Sequence, residues 1–156
     1  MSLNIVLHEP EIPQNTGNIA RTCVLTGARL HIIKPTGFSL DSRHVRRAGL
    51  DYWHLLDLSV YESFEEFINQ NNPQHIYCAT TKSDAAYSDY QYPQPAFLLF
   101  GKETAGLPGY ILKRFSDYLV KVPMIQHEKT RSLNLSNTVA VIAYEVLRQW
   151  GFPEMR

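Results

Sequence analysis

Short apolar runs alternate along this chain with stretches of helical character, and no other feature restricts the fold as much. Candidate strands fall at 5–7, 30–33, 55–58, 76–79, 96–100 and 118–122. Candidate helices fall at 16–26, 41–50, 63–71 and 108–115, with a long final one reaching Trp150. Ala96-Phe97-Leu98-Leu99-Phe100 is apolar at every position, so it needs cover on both faces. Strand and helix alternation with burial of that kind predicts an α/β fold: a mainly parallel sheet flanked by helices. No linker or low-complexity segment breaks the pattern, and residues 1–156 read as a single domain. A chain of this length buries roughly 70% of its unfolded surface and needs no disulfide or structural metal to hold a core.

The final helix is the best specified. Val139, Ile142, Ala143, Val146, Leu147 and Trp150 recur at helical spacing and draw one apolar stripe. Asn134, Ser136 and Asn137 offer caps for its first-turn N–H groups, and Gly151 followed by Pro153 stops it.

Composition excludes several classes. With 44% apolar residues the chain is neither disordered nor collagen-like. Its apolar runs are far shorter than the roughly 20 residues of a bilayer span, and Met1-Ser2-Leu3-Asn4 lacks the basic start of a signal peptide. A soluble, cytoplasmic protein without a membrane partner is expected. The two cysteines, Cys23 and Cys78, form no CxxC and read as reduced, packed thiols. The histidines lack HExxH or other ligand spacing, so no metal is expected. Fifteen Lys and Arg balance fifteen Asp and Glu, so any grip on nucleic acid must come from a local patch.

Three turns gather polar groups beyond strand ends, where open α/β sheets bind ligands. The first runs Glu9-Pro10-Glu11-Ile12-Pro13-Gln14-Asn15-Thr16-Gly17-Asn18-Ile19-Ala20-Arg21. With a helix starting near Thr16, Gly17 and Arg21 stand four apart on one face, and a phosphate or ribose can approach the guanidinium over a residue with no side chain. Alternatively Asn15 or Thr16 only caps the helix and Arg21 is solvated. The second turn is Gly101-Lys102-Glu103-Thr104-Ala105-Gly106-Leu107-Pro108. Its glycines permit close backbone approach to a ligand, or they serve the turn itself. Leu107-Pro108 stands where a P-loop needs Lys-Ser/Thr, and no GxGxxG occurs. The third joins Val122-Pro123-Met124 to Ser132-Leu133-Asn134-Leu135-Ser136-Asn137. Backbone amides there, with Met124, Leu133 and Leu135 as walls, suit a flat heteroaromatic ring, although an N-capping cluster without a ligand also fits. A basic stretch, Arg43, His44, Arg46 and Arg47 with Tyr52 and Trp53 close behind, suits phosphates and stacked bases or is a solvated helix face.

In order and spacing, these three turns resemble the three motifs of the SPOUT superfamily, the knotted S-adenosylmethionine-dependent RNA methyltransferases. The opening Ile5-Val6-Leu7-His8-Glu9-Pro10 and the segment Arg46-Arg47-Ala48-Gly49-Leu50-Asp51-Tyr52 further resemble its compact subgroup of tRNA 2'-O-methyltransferases acting on the wobble cytidine or uridine. The resemblance implies a C-terminal trefoil knot and a homodimer whose subunits share the active site. It implies S-adenosylmethionine as cofactor, released as S-adenosylhomocysteine, in a cup of Ala79, Thr80, Thr81, Gly101, Glu103, Gly106, Val122, Ser132, Leu133 and Asn137. Arg21 would hold the substrate phosphate and polarise the ribose 2'-hydroxyl, with Asn15, Ser132 and Asn134 orienting it. Arg21, Arg43, Arg46 and Arg47 would meet a tRNA anticodon stem-loop. Two other classes remain open on sequence grounds: an RNA-binding module that has lost activity on the same scaffold, and a flavodoxin-like small-molecule enzyme.

Overall fold

The computed structural model describes residues 2–41, 43, 45, 47 and 52–156. Six strands, β1 (Leu3–His8), β2 (Arg29–Ile33), β3 (Leu58–Tyr61), β4 (Tyr77–Ala79), β5 (Ala96–Phe100) and β6 (Leu119–Val120), form one sheet in the order β3-β2-β1-β5-β4-β6. Every strand pair is parallel, as expected from the apolar runs. The helices α1 (Pro13–Thr26), α2 (Phe64–Asn71), α3 (Gly109–Arg114) and α4 (Leu135–Gln149) pack against it.

The pleat of β1 divides the core. Leu3, Ile5 and Leu7 point to the face where α1 packs through Ile19, Ala20 and Cys23, and α4 through Val139, Ile142, Ala143, Val146 and Leu147. Val6 points the other way, joining Phe64 and Phe67 of α2, Leu99 of β5 and Ile111 of α3. The stripe read along the last helix is thus its buried face, each of its larger side chains contributing roughly 1.5–3 kcal/mol. Asn134 caps that helix, its Oδ1 accepting from the Ser136 and Asn137 N–H groups, and Gly151 follows the helix end with φ of 76°. Both cysteines are free and buried, and burial pushes their thiols up to about 12.

Two expectations shift. The third strand lies at Leu58–Tyr61, not 55–58, because Trp53–Leu55 turns as a 3-10 helix before it. The continuous run Leu55-Leu56-Asp57-Leu58 hid that boundary, which is fixed by the pairing of Leu30 with Leu58. The first helix begins at Pro13, and its N-cap Ile12 makes no side-chain cap bond. Neither Asn15 nor Thr16 caps it. Gly17 is buried inside the fold, so the open approach expected above it is closed. Of the expected 41–50 helix, Arg43, Val45 and Arg47 are helical, and positions 42, 44, 46 and 48–50 lie outside the described residues.

Candidate active site

The carboxyl ends of β4, β5 and β6 open onto a single cleft of about 520 Å³. Ala79 and Thr80 reach it from β4, the 101–107 turn from β5, and Val120, Lys121 and Val122 from β6. Ser132, Leu133, Asn134 and Leu135 close it at the start of α4, and Ile12 and Asn15 at the start of α1. Sheet geometry brings these segments together: the Thr80 N–H donates to the Val120 carbonyl at 2.9 Å, locking the β4 and β6 ends side by side.

The β5 turn is closed on itself. The Gly106 N–H donates to the Lys102 carbonyl at 2.9 Å, and Gly106 adopts φ of 68°, a left-handed conformation that favours glycine. A Cβ on Gly101 would sit 2.1 Å from the Gly106 carbonyl carbon and 2.3 Å from the Leu107 nitrogen. Gly101 is therefore required first by its own turn, and only through the turn by a ligand.

On the opposite wall, Asn134 Nδ2 donates to Asn15 Oδ1 at 3.0 Å, across 119 residues. The same Asn134 caps α4, so one side chain fixes the starts of both helices at the cleft. The Leu133 N–H donates to the Met124 sulfur at 3.3 Å, folding the 124–133 loop over the lip. Glu103 is the one acidic residue lining the cleft among the described residues, and its two oxygens accept the Glu11 and Ile12 N–H groups at 3.0 and 2.5 Å. Cations are more numerous: Lys82, Lys102, Lys121 and Arg131 all line it. Lys102 pairs with Glu9 at 3.7 Å.

Most expected site residues meet here. Ala79, Thr80, Thr81, Gly101, Glu103, Gly106, Val122, Ser132 and Leu133 line the cleft, as do Asn15 and Asn134. Asn137 does not; its N–H is turned to Asn134 Oδ1 at 3.4 Å. Arg21 also stands outside, exposed on α1 with its guanidinium 5.0 Å from the centre of the Tyr52 ring. Arg43 and Arg47 are exposed, and Arg46 lies outside the described residues. Sequence reading missed Lys82, Lys121 and Thr104, whose only signal is adjacency to a motif residue. Among the described residues no group of three or more His, Cys, Asp or Glu side chains is placed to hold a metal, and no helix is long and apolar enough to cross a membrane.

Known proteins share this architecture and sequence. A tRNA (cytidine(34)-2'-O)-methyltransferase of Escherichia coli strain K12 is 47% identical over 152 residues, covering 97% of this chain and 96% of that protein. A solved structure described as "Structural insights into the 2-OH methylation of C/U34 on tRNA" superposes with a TM-score of 0.90 at 41% identity, covering 96% of this chain and 97% of the other. The SpoU methyltransferase AviRb from Streptomyces viridochromogenes, solved in complex with the cofactor AdoMet, superposes with a TM-score of 0.83 at 26% identity, over 94% of this chain and 60% of its own. Residues 2–144 match the model of the SpoU rRNA Methylase family. With that match spanning most of its length, the chain belongs to the SpoU rRNA Methylase family.

Proposed function

We propose that this chain transfers a methyl group from S-adenosylmethionine to the ribose 2'-hydroxyl of the wobble nucleotide of tRNA. It would act in the cytoplasm as a knotted homodimer of single-domain subunits. The observation that carries the reading is the convergence of three loops, distant in sequence, on one cleft. The relatives named for cytidine-34 methylation, matched nearly end to end, support the choice of substrate.

The residues present fit the cofactor. Leu107, Val122 and Leu133 supply apolar walls, and Thr80 and Ser132 supply hydroxyls. The cofactor supplies a methyl group on a positively charged sulfur, open to attack by oxygen. Glu103, the lining acid, already spends both oxygens on backbone N–H groups, so no free carboxylate among the described residues stabilises that positive charge in the ground state. Such stabilisation would be lost as the charge disappears and would slow transfer.

In the reaction the 2'-oxygen forms a bond to the methyl carbon as the sulfur–carbon bond breaks, and the hydroxyl proton leaves to water or a substrate phosphate. Positioning is the main task of the protein. Asn15 and Asn134, locked to each other, present fixed polar groups at the wall nearest α1. Arg21 donates to the substrate phosphate and polarises the hydroxyl; a guanidinium keeps its proton at neutral pH and is no base. Its place outside its own cleft fits a site shared between subunits. Lys82, Lys121 and Arg131 at the mouth, with Arg43, Arg46 and Arg47, attract the RNA backbone.

The test is incubation of purified protein with unmodified tRNA and methyl-labelled cofactor, followed by digestion to nucleosides. Label is expected on 2'-O-methylcytidine or 2'-O-methyluridine from the wobble position; label on bases overturns the reading. Binding of tRNA with no detectable cofactor binding would favour the inactive module. Arg21→Ala is expected to lower turnover about a hundredfold or more while calorimetry finds S-adenosylhomocysteine affinity unchanged.

A further inference from the structure

Two loops separated by more than half the chain are fastened together by a pair of carboxylates. The Glu103 carboxylate accepts the Glu11 N–H at 3.0 Å and the Ile12 N–H at 2.5 Å. In return, Glu11 Oε1 accepts the Thr104 hydroxyl at 2.6 Å and the Thr104 N–H at 3.2 Å. Beside them Lys102 Nζ lies 3.7 Å from Glu9 Oε1. The Thr104 hydrogen bonds hold the Glu11 carboxyl below the ordinary carboxylate range, which keeps the acceptor charged at neutral pH.

The placement of the clasp is asymmetric. Glu103 and Thr104 line the cleft, whereas Glu11 does not. Ile12, the N-cap of α1, makes no side-chain cap bond, and its own N–H is accepted from across the fold by Glu103, the part a Glu at the third helical position plays in a local capping box. The turn that closes around the proposed methyl donor therefore also anchors the start of the helix carrying Asn15 and Arg21.

We propose that Glu11 is a positioning residue that couples the donor loop to the substrate helix, so that methyl donor and RNA bind cooperatively. The inference rests on the methyltransferase reading of the cleft. A donor in the cleft orders the 101–107 turn; through the clasp the start of α1 is ordered with it, and the RNA then meets a helix whose freedom is already spent. By linkage, RNA tightens donor binding by the same factor.

The test is calorimetry of an anticodon stem-loop RNA with and without S-adenosylhomocysteine, on the full chain and on Glu11→Ala, Glu11→Gln and Thr104→Val. In the unmodified protein S-adenosylhomocysteine should tighten RNA binding about fivefold or more. In Glu11→Ala and Thr104→Val the factor should fall to within about twofold of one, while each ligand alone binds Glu11→Ala, whose side chain lies outside the cleft, as before. Glu11→Gln, whose amide oxygen still accepts from Thr104, should retain part of it. If the clasp only stabilised the fold, its loss would lower the melting temperature and leave the factor untouched. An equal factor in Glu11→Ala, or none in the unmodified protein, overturns the proposal. No binding of S-adenosylhomocysteine at all would instead remove the methyltransferase reading, and Thr104→Val keeps the test valid if Glu11→Ala fails to fold.

Discussion

Acidification should destabilise this protein through one buried side chain, His31 on β2. The ring is 0% exposed, and its two nitrogens are both engaged: Nε2 lies 2.9 Å from Asn4 Oδ1 and Nδ1 lies 2.9 Å from the Tyr61 hydroxyl. The network assigns the tautomer. Asn4 Nδ2 donates to the Ser2 and Ala96 carbonyls, so Asn4 Oδ1 is the acceptor and His31 carries its proton on Nε2. Nδ1 then accepts the Tyr61 O–H, and the Tyr61 oxygen accepts from Asn71 Nδ2 at 3.0 Å. A second ring proton would face the hydroxyl proton of Tyr61. Burial, reinforced by the Arg29 charge, pushes the imidazole down to about 4 from its ordinary 6.5. Because the unfolded chain takes up the proton first, the stabilisation is complete above pH 6.5 and is lost as pH falls from there toward 4. A gap of about 2.5 pH units, at about 1.4 kcal/mol each, amounts to about 3.5 kcal/mol. Urea unfolding at pH 7, 5.5 and 4.5, at fixed ionic strength, measures it. His8 is also held low by burial and acts in the same direction, so the readout is the difference between the unmodified protein and His31→Gln. The variant should be less stable at pH 7 and lose less on acidification. Equal pH slopes, or His31 ring signals titrating near 6.5 in the folded state, would refute the argument.

Two further outcomes follow from the cleft. Gly101→Ala places a methyl group 2.1 Å from the Gly106 carbonyl carbon, so the turn must open, and S-adenosylhomocysteine affinity should fall at least tenfold by calorimetry; unchanged affinity would mean that the turn is not part of the binding site. Lys82→Ala and Lys121→Ala should each raise the KM for tRNA and lower the slope of log affinity against log salt by about one, with cofactor affinity unchanged; an unaltered slope would remove them from the RNA path.

What the sequence made legible was periodic or local. The stripe from Val139 to Leu147 predicts the buried face of α4 because side-chain spacing alone sets which way a helix turns its residues. The unbroken apolar strands predict the parallel sheet for a similar reason. The three turns were legible as a set because each sits where a strand ends, and their convergence follows from β4, β5 and β6 lying side by side. What stayed hidden depends on partners far along the chain. α1 starts with Pro13 at its first position and without a side-chain cap, and the backbone just before it is held by Glu103, about ninety residues away, which no local pattern marks. The demand for glycine at 101 comes from the backbone of 106 and 107, and nothing in composition separates that from a demand made by a ligand. Arg21 was expected at the cleft from its spacing to Gly17, yet Gly17 is buried, and Arg21, on the same helix face, extends to the Tyr52 ring outside the cleft.

The order of the sheet has a consequence for synthesis on the ribosome. β1, the first strand to be made, ends in the interior between β2 and β5, and its edge toward β5 has no partner until residues 96–100 emerge. A nascent chain holding β1 to β3 thus exposes an apolar ribbon during most of its translation, a state prone to unwanted pairing. The cleft forms later still, since its last wall belongs to residues 132–135. Fragments shed by early termination would lack the complete cleft, and quality control would meet them as sticky half-sheets.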